Sequence, residues 1–338
     1  MFGWFRMDKA SPLVPEAEPA DSASAAVEMR WRSDATLPIP DWEAMDVASD
    51  SAGDAFLHDW YTAAARQWMD ALGRALPDGG YSQRASDNFL LLSSLPDRTA
   101  DLVLQRCEHA RRAIRQRLGS IGKDEGYGPH VVVVFASQDS YYAYLEHYGP
   151  GGDGRALSSG LFLDAGYGHF ASWHDGLDEL EPVVVHELTH ALLRHLDLPV
   201  WLNEGLAQNI EHALLPGLAD PRLRLDTPAQ MHARHLAWWD AERIQAFWSG
   251  EAFHFGEGVE LAYDLAAILS RLAAREDAAF RVFVVAAHWE DAGAQAAEQQ
   301  LGFPLANLVT AILGEGDWEP RPSTWRKPGN KGDKRGRR

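Results

Sequence analysis

The chain has 338 residues, 46 % of them apolar, and a formal net charge of −18 at pH 7. That size and composition describe a globular protein with room for a sizeable core, and the charge disfavours nucleic acid or an anionic membrane as a partner of the main body. A lone cysteine, Cys107, excludes an internal disulfide and any cysteine metal site, and it fits a reducing compartment.

The opening residues, MFGWFRMDKASPLVPEAEP, hold no apolar run of signal-peptide length, and no later segment nears the ~18 unbroken apolar residues of a membrane span. A cytoplasmic protein with no membrane partner is the expectation. Residues 1–50, rich in Pro, Ala, Ser, Asp and Glu, read as a poorly ordered or loosely docked arm, with Trp31, Ile39 and Trp42 available to pin it. The spacing of Phe56, Trp60, Ala64, Trp68 and Leu72 predicts an amphipathic helix from Asp54 to Leu76, ended by Pro77-Asp-Gly-Gly. NFLLLSS, Asn88 to Ser94, reads as a strand. Pro96 opens a long helix to Leu118, with Gly119 as its stop. Cys107 falls inside that helix and is expected to be packed rather than reactive. HVVVVFA, His130 to Ala136, is a buried strand, and Ser137 caps a short aromatic helix after it. Leu157 to Trp173 predicts one or two strands interrupted at Gly166. His169 and His174 lie in this region, and solvent-facing loop positions are the plainer reading for both.

Next comes VVVHELTHALL, Val183 to Leu193. Its apolar residues predict a buried helix, yet it carries two histidines and a glutamate. His186 and His190 are four apart and share one helix face, so both imidazoles can aim at a single point. Glu187 lies about 100° around the helix and can reach the same side. Burying these three groups without partners costs on the order of several kcal/mol, and a divalent cation removes that cost. Zinc needs a third protein ligand and an open position for water. After Pro199, VWLNEGLAQNIEHALL predicts a second amphipathic helix with Glu204 near its start, and a short turn would fold Glu204 back beside the histidines.

Beyond Leu215 the pattern is helical with loops. HLAWWDAERIQAFWSG supplies three tryptophans for packing or a cleft wall, and a strong helix runs from Glu257 to Ala274. Two shorter helices follow, the last within GFPLANLVTAIL. The tail from Arg321 to Arg338 holds eight Lys or Arg against one Asp and reads as disordered. It is the one stretch suited to nucleic acid or an acidic partner, with a solvated tail the plainer reading. The strand and helix order is compatible with a small mixed sheet packed on the histidine helix.

HELTHALL, then a proline, then WLNEGLAQ resembles the gluzincin zinc metallopeptidases, most closely the peptidase MA-like group. The resemblance covers about Asn88 to Leu272. It implies an α+β, zincin-like fold: a small mixed sheet on an active-site helix, then a mostly helical C-terminal half. It implies a catalytic domain over 51–316 between the arm and a basic tail, 317–338. One zinc ion would be held by His186, His190 and Glu204, with Glu187 as general base. An edge strand within Leu161 to Trp173 would pair with substrate backbone. Tyr263, or alternatively His254, would assist the oxyanion. One departure is Gln208, which stands four after Glu204 where many gluzincins place an acidic residue to orient a histidine; Asp197 is a substitute. The implied activity is hydrolysis of peptide bonds in a peptide or protein substrate. The absence of a G-x-M-E-N segment favours an endopeptidase over an aminopeptidase. The alternative is an inactive metal-binding member of the same fold, acting as an interaction module.

Overall fold

In a computed structural model, the described residues are 27–45, 53–148, 160–163, 165–173, 177–217, 226–254 and 256–325. The predicted first helix is α1 (Asp54–Ala75), and Leu76 caps it just before Pro77. β1 (Ser82–Ala85) and β2 (Phe89–Ser93) follow as an antiparallel pair. β1 was not legible in the sequence: SQRA is polar, short and half-exposed, so it carries no strand pattern. α2 (Asp97–Leu118) starts after Pro96 and stops at Gly119, whose φ of +57° a side chain would resist.

β3 (His130–Val134) is parallel to β2, and α3 (Gln138–Leu145) begins where the Ser137 hydroxyl accepts the Ser140 N–H. The Leu157 to Trp173 region gives two strands, β4 (Gly160–Leu163) and β5 (His169–Ser172), with Gly166 in the turn between them. The sheet order is β1-β2-β3-β5-β4, with β3 and β5 parallel and β4 antiparallel to β5. Among the described residues β4 is therefore an edge strand.

β2 is buried on both faces, because helices cover both sides of the sheet. Leu91, Val132, Val134 and Phe170 face α2 and the helix α4 (Leu177–Leu193). Leu90, Leu92, Val131, Val133 and Ala171 face α1 and α3. Cys107 is buried in the first of these cores, and burial pushes its thiol up to about 12, so it is unreactive there.

The rest is helical: α5 (Val200–Leu214), α6 (Pro228–Trp238), α7 (Arg243–Ser249), α8 (Val259–Ala273), α9 (Asp277–Ala286), the single turn α10 (Ala294–Ala296) and α11 (Leu305–Leu313). The whole is a mixed α/β fold, mostly helical, with one small mixed sheet. Trp239 and Trp248 are core residues, as packing of that segment required. Among the described residues no helix is long and apolar enough to cross a membrane.

Both chain ends dock in part. Residues 27–45 lie against the body through Ile39 and Trp42, whereas Trp31 is 40 % exposed. The start of the basic tail is also held: Trp325 Nε1 donates to Gln245 Oε1, and the Arg321 guanidinium donates to the Ala241 carbonyl. The remainder of the arm and tail lies outside the described residues.

Candidate metal centre

α4 places Leu180, Val184, Leu188 and Leu192 in the core, which turns His186, Glu187 and His190 toward its opposite, half-buried side. The Thr189 hydroxyl inside the motif is spent locally, donating to the Val185 carbonyl at 2.8 Å. α5 packs across α4 after the turn that ends at Pro199. Its placement is fixed from behind by α8. An added Cβ at Gly205 would collide with the Ala266 carbonyl, so glycine permits the close approach. Asn209 Nδ2 reaches the Ala267 carbonyl and Ser270 Oγ, pinning the two helices with a polar contact.

This packing brings Glu204 onto the histidines. Glu204 Oε2 lies 3.2 Å from His186 Nε2 and 3.4 Å from His190 Nε2. The two rings meet edge to face with centroids 4.8 Å apart. One donor atom from each residue falls within 4.8 Å of the others, so the group could hold a metal ion. The donor chemistry fits: two imidazole nitrogens and one carboxylate oxygen, each side chain 16–17 % exposed. The buried Nδ1 of His190 has no hydrogen-bond partner among the described residues.

His186 Nδ1 is engaged by Glu211 Oε2 at 3.1 Å. Glu211 stands two turns beyond Glu204 on α5 and is only 9 % exposed. The carboxylate beside this histidine is therefore Glu211, where the sequence offered Asp197 as the substitute for the uncharged Gln208. Asp197 is instead at the surface, 3.9 Å from His288 Nε2. A signal for Glu211 was present: positions 204 and 211 share a helix face, and a carboxylate there faces the same neighbour.

The charges follow from these contacts. Burial pushes His186 down, but the hydrogen bonds to Glu204 and Glu211 outweigh it and raise the imidazole well above its ordinary value. His190 is raised in the same way, mainly by the Glu204 charge acting against burial. Burial alone would raise Glu204, yet the two imidazoles hold it far below the usual carboxylate range. Glu187 is raised, because burial exceeds the opposing pull of His190 and His186, and its carboxylate accepts the backbone N–H of Phe162 on β4. The raised imidazoles thus share protons with Glu204 and Glu211, protons that a cation bound at this point would displace.

The structure thus gathers His186, Glu187, His190 and Glu204. Tyr263 sits on α8, half-buried, with its ring edge-on to Phe253 at 5.2 Å. His254 is exposed at the end of a short 3-10 turn, Glu251–Phe253. His169 corrects the loop reading. It is fully buried on β5, where Nδ1 donates to the Tyr167 carbonyl and Nε2 accepts from the Tyr144 hydroxyl. The strand pattern of FAS, buried on both faces, outweighs the histidine's preference for water. His174 lies outside the described residues. No protein-family model matches this chain, and no curated protein matches it.

Proposed function

We propose that this chain is a zinc-dependent metallopeptidase of gluzincin type, with a zincin-like α+β fold. The single observation that carries this reading is the convergence of His186 Nε2, His190 Nε2 and Glu204 Oε2 beside the Glu187 carboxylate. Zinc at this point would supply a water of near-neutral pKa and polarise a scissile carbonyl.

The chain's own residues do the rest. His186 and His190 present their Nε2 atoms, and Glu211 holds the His186 Nδ1 proton so that the ring keeps one tautomer and one orientation. Glu187 takes a proton from the attacking water on its carboxylate and returns it to the leaving amine nitrogen. Its raised pKa suits a group that must both accept and release that proton. The Phe162 N–H fixes where the carboxylate stands. β4 is the edge of the sheet beside Glu187, and a peptide strand added there would lay its backbone along the site. That geometry supports a peptide substrate cut within its length. The resemblance also implies an oxyanion donor, Tyr263 or alternatively His254.

The test uses the full chain, with zinc measured after dialysis and cleavage followed on an unfolded protein and a peptide library. Wild type is expected to hold one zinc and to cut. Glu187→Gln is expected to keep the zinc and lose about 10²–10⁴-fold in kcat. Equal cutting by the two proteins would remove Glu187, and with it the peptidase reading. Zinc without any cleavage would mark a metal-binding interaction module instead. In the same assay Tyr263→Phe is expected to lower kcat by about 10²-fold with KM little changed, and a wild-type kcat would take Tyr263 out of the mechanism.

A further inference from the structure

We infer that Trp42, on the N-terminal strap, is a positioning residue for this site: it braces the β4–β5 turn and thereby the edge strand whose backbone N–H holds Glu187. The role rests on the peptidase reading only for what Glu187 does.

The strap, residues 27–45, is folded on itself, with Arg32 N–H donating to the Ile39 carbonyl and Asp41 N–H to the Arg30 carbonyl, both at 2.9 Å. Among its ties to the body are two anchors. Ile39 is 2 % exposed in the core under α1 and α3, and Arg32 Nη1 donates to the His147 carbonyl at 2.7 Å. Between these anchors and α1, Trp42 lies on the turn that joins β4 to β5. Gly166 in that turn has φ +64°, and any Cβ there would collide with Trp42 Cδ1, Cγ and Nε1. The indole is flanked by Tyr167 at 5.4 Å and by Trp68, edge-on, at 6.0 Å.

β4 needs this support more than its neighbours do. Every inner strand is paired on two sides, but among the described residues β4 pairs with β5 alone, over four residue pairs. Beyond that pairing it is held by Leu163 in the core, Phe162 against the Phe170 ring, Gly160 close to Val183 of α4, the Phe162 N–H bond to Glu187 and the turn under Trp42. Loosening the turn should therefore loosen β4 before any other strand, and free Glu187 from its fixed position.

Amide hydrogen exchange on the full-length, zinc-loaded protein tests this directly. Trp42→Ala removes the brace, and Gly166→Ala pushes it off from the other side. Each is expected to speed exchange over 160–163 by about tenfold or more, while 89–93, 130–134 and the zinc content stay as in wild type. Trp42→Phe is expected to restore most of the protection. Where cleavage is measurable, KM should rise in Trp42→Ala, because the strand that receives substrate is no longer held. Unchanged exchange over 160–163 in both variants would overturn the role, as would equal loss of protection in β2 and β3. A wild-type protein that holds zinc and cuts nothing would sink the peptidase reading, yet the exchange result would still decide the role of Trp42.

Discussion

Two buried histidine sites lie on opposite faces of the same small sheet, and they have opposite chemistry. On the α1 and α3 side, His169 packs edge-on to Trp68 with centroids 4.8 Å apart. Both of its nitrogens are consumed by neutral partners: the Tyr167 carbonyl at 2.8 Å and the Tyr144 hydroxyl at 2.7 Å. Burial then pushes its pKa down to about 4, and the ring stays neutral. On the α4 side, both nitrogens of His186 face carboxylates, and the same burial is outweighed. Burying an imidazole therefore does not make a ligand. What distinguishes the α4 site is that its imidazoles face carboxylates, an arrangement that could hold a metal ion.

The largest expected effect breaks the α4 site at that charge. Glu204→Ala leaves two imidazoles with no carboxylate between them, and zinc affinity should fall by more than the ~10²-fold that loss of an outer partner costs. Zinc content after dialysis reads this. His169→Gln should retain zinc at wild-type stoichiometry; loss of zinc in it would mean that the two faces of the sheet are not independent.

The second effect belongs to the neutral site. His169 titrates at about 4 in the folded chain, against 6.5 for an unperturbed histidine. Between those values the unfolded chain binds a proton that the folded one refuses, so stability is full above about pH 6.5 and falls as pH drops toward 4. The total is about 3 kcal/mol. Denaturant midpoints from pH 7 to 4 measure it, best in the Glu204→Ala background, where zinc release adds nothing. His169→Gln should lack this increment. If both proteins lose stability equally over that range, His169 is not the group responsible.

The α4 site was far more legible in the sequence than the β5 site, for a physical reason. Helical spacing fixes where side chains meet: His186 and His190 must share a face, and the turn ended by Pro199 left Glu204 few places to go. The fully apolar strands, the Gly119 stop and the Ser137 cap were legible because burial and capping leave local signatures. β1 was not, since its pairing with β2 is a tertiary contact that its polar side chains do not announce. His169 was misplaced because four residues beside Gly166 and Gly168 do not announce a strand covered on both faces. Glu211 was passed over in favour of position 208, one turn after Glu204, and then of Asp197. Spacing of one turn or two both return to the same face, and only the packing angle of α5 on α4 selects between them.

Glu211 also provides the finest test of the comparison. Glu211→Gln keeps the length and shape of the side chain, and its carbonyl oxygen can still accept the His186 Nδ1 proton. The substitution gives His186 the kind of neutral oxygen partner that His169 already has. If charge behind the ring matters, the ring becomes less basic at Nε2 and zinc affinity falls by about 10–100-fold, read by competition with a chelator. Glu211→Ala should cost more, because it leaves a buried N–H with no acceptor, a loss of about 1–3 kcal/mol in the folded, metal-bound protein. An affinity for Glu211→Gln equal to wild type would place the orientation of His186 in the packing of α4 alone. The difference between the two histidine sites would then reduce to Glu204.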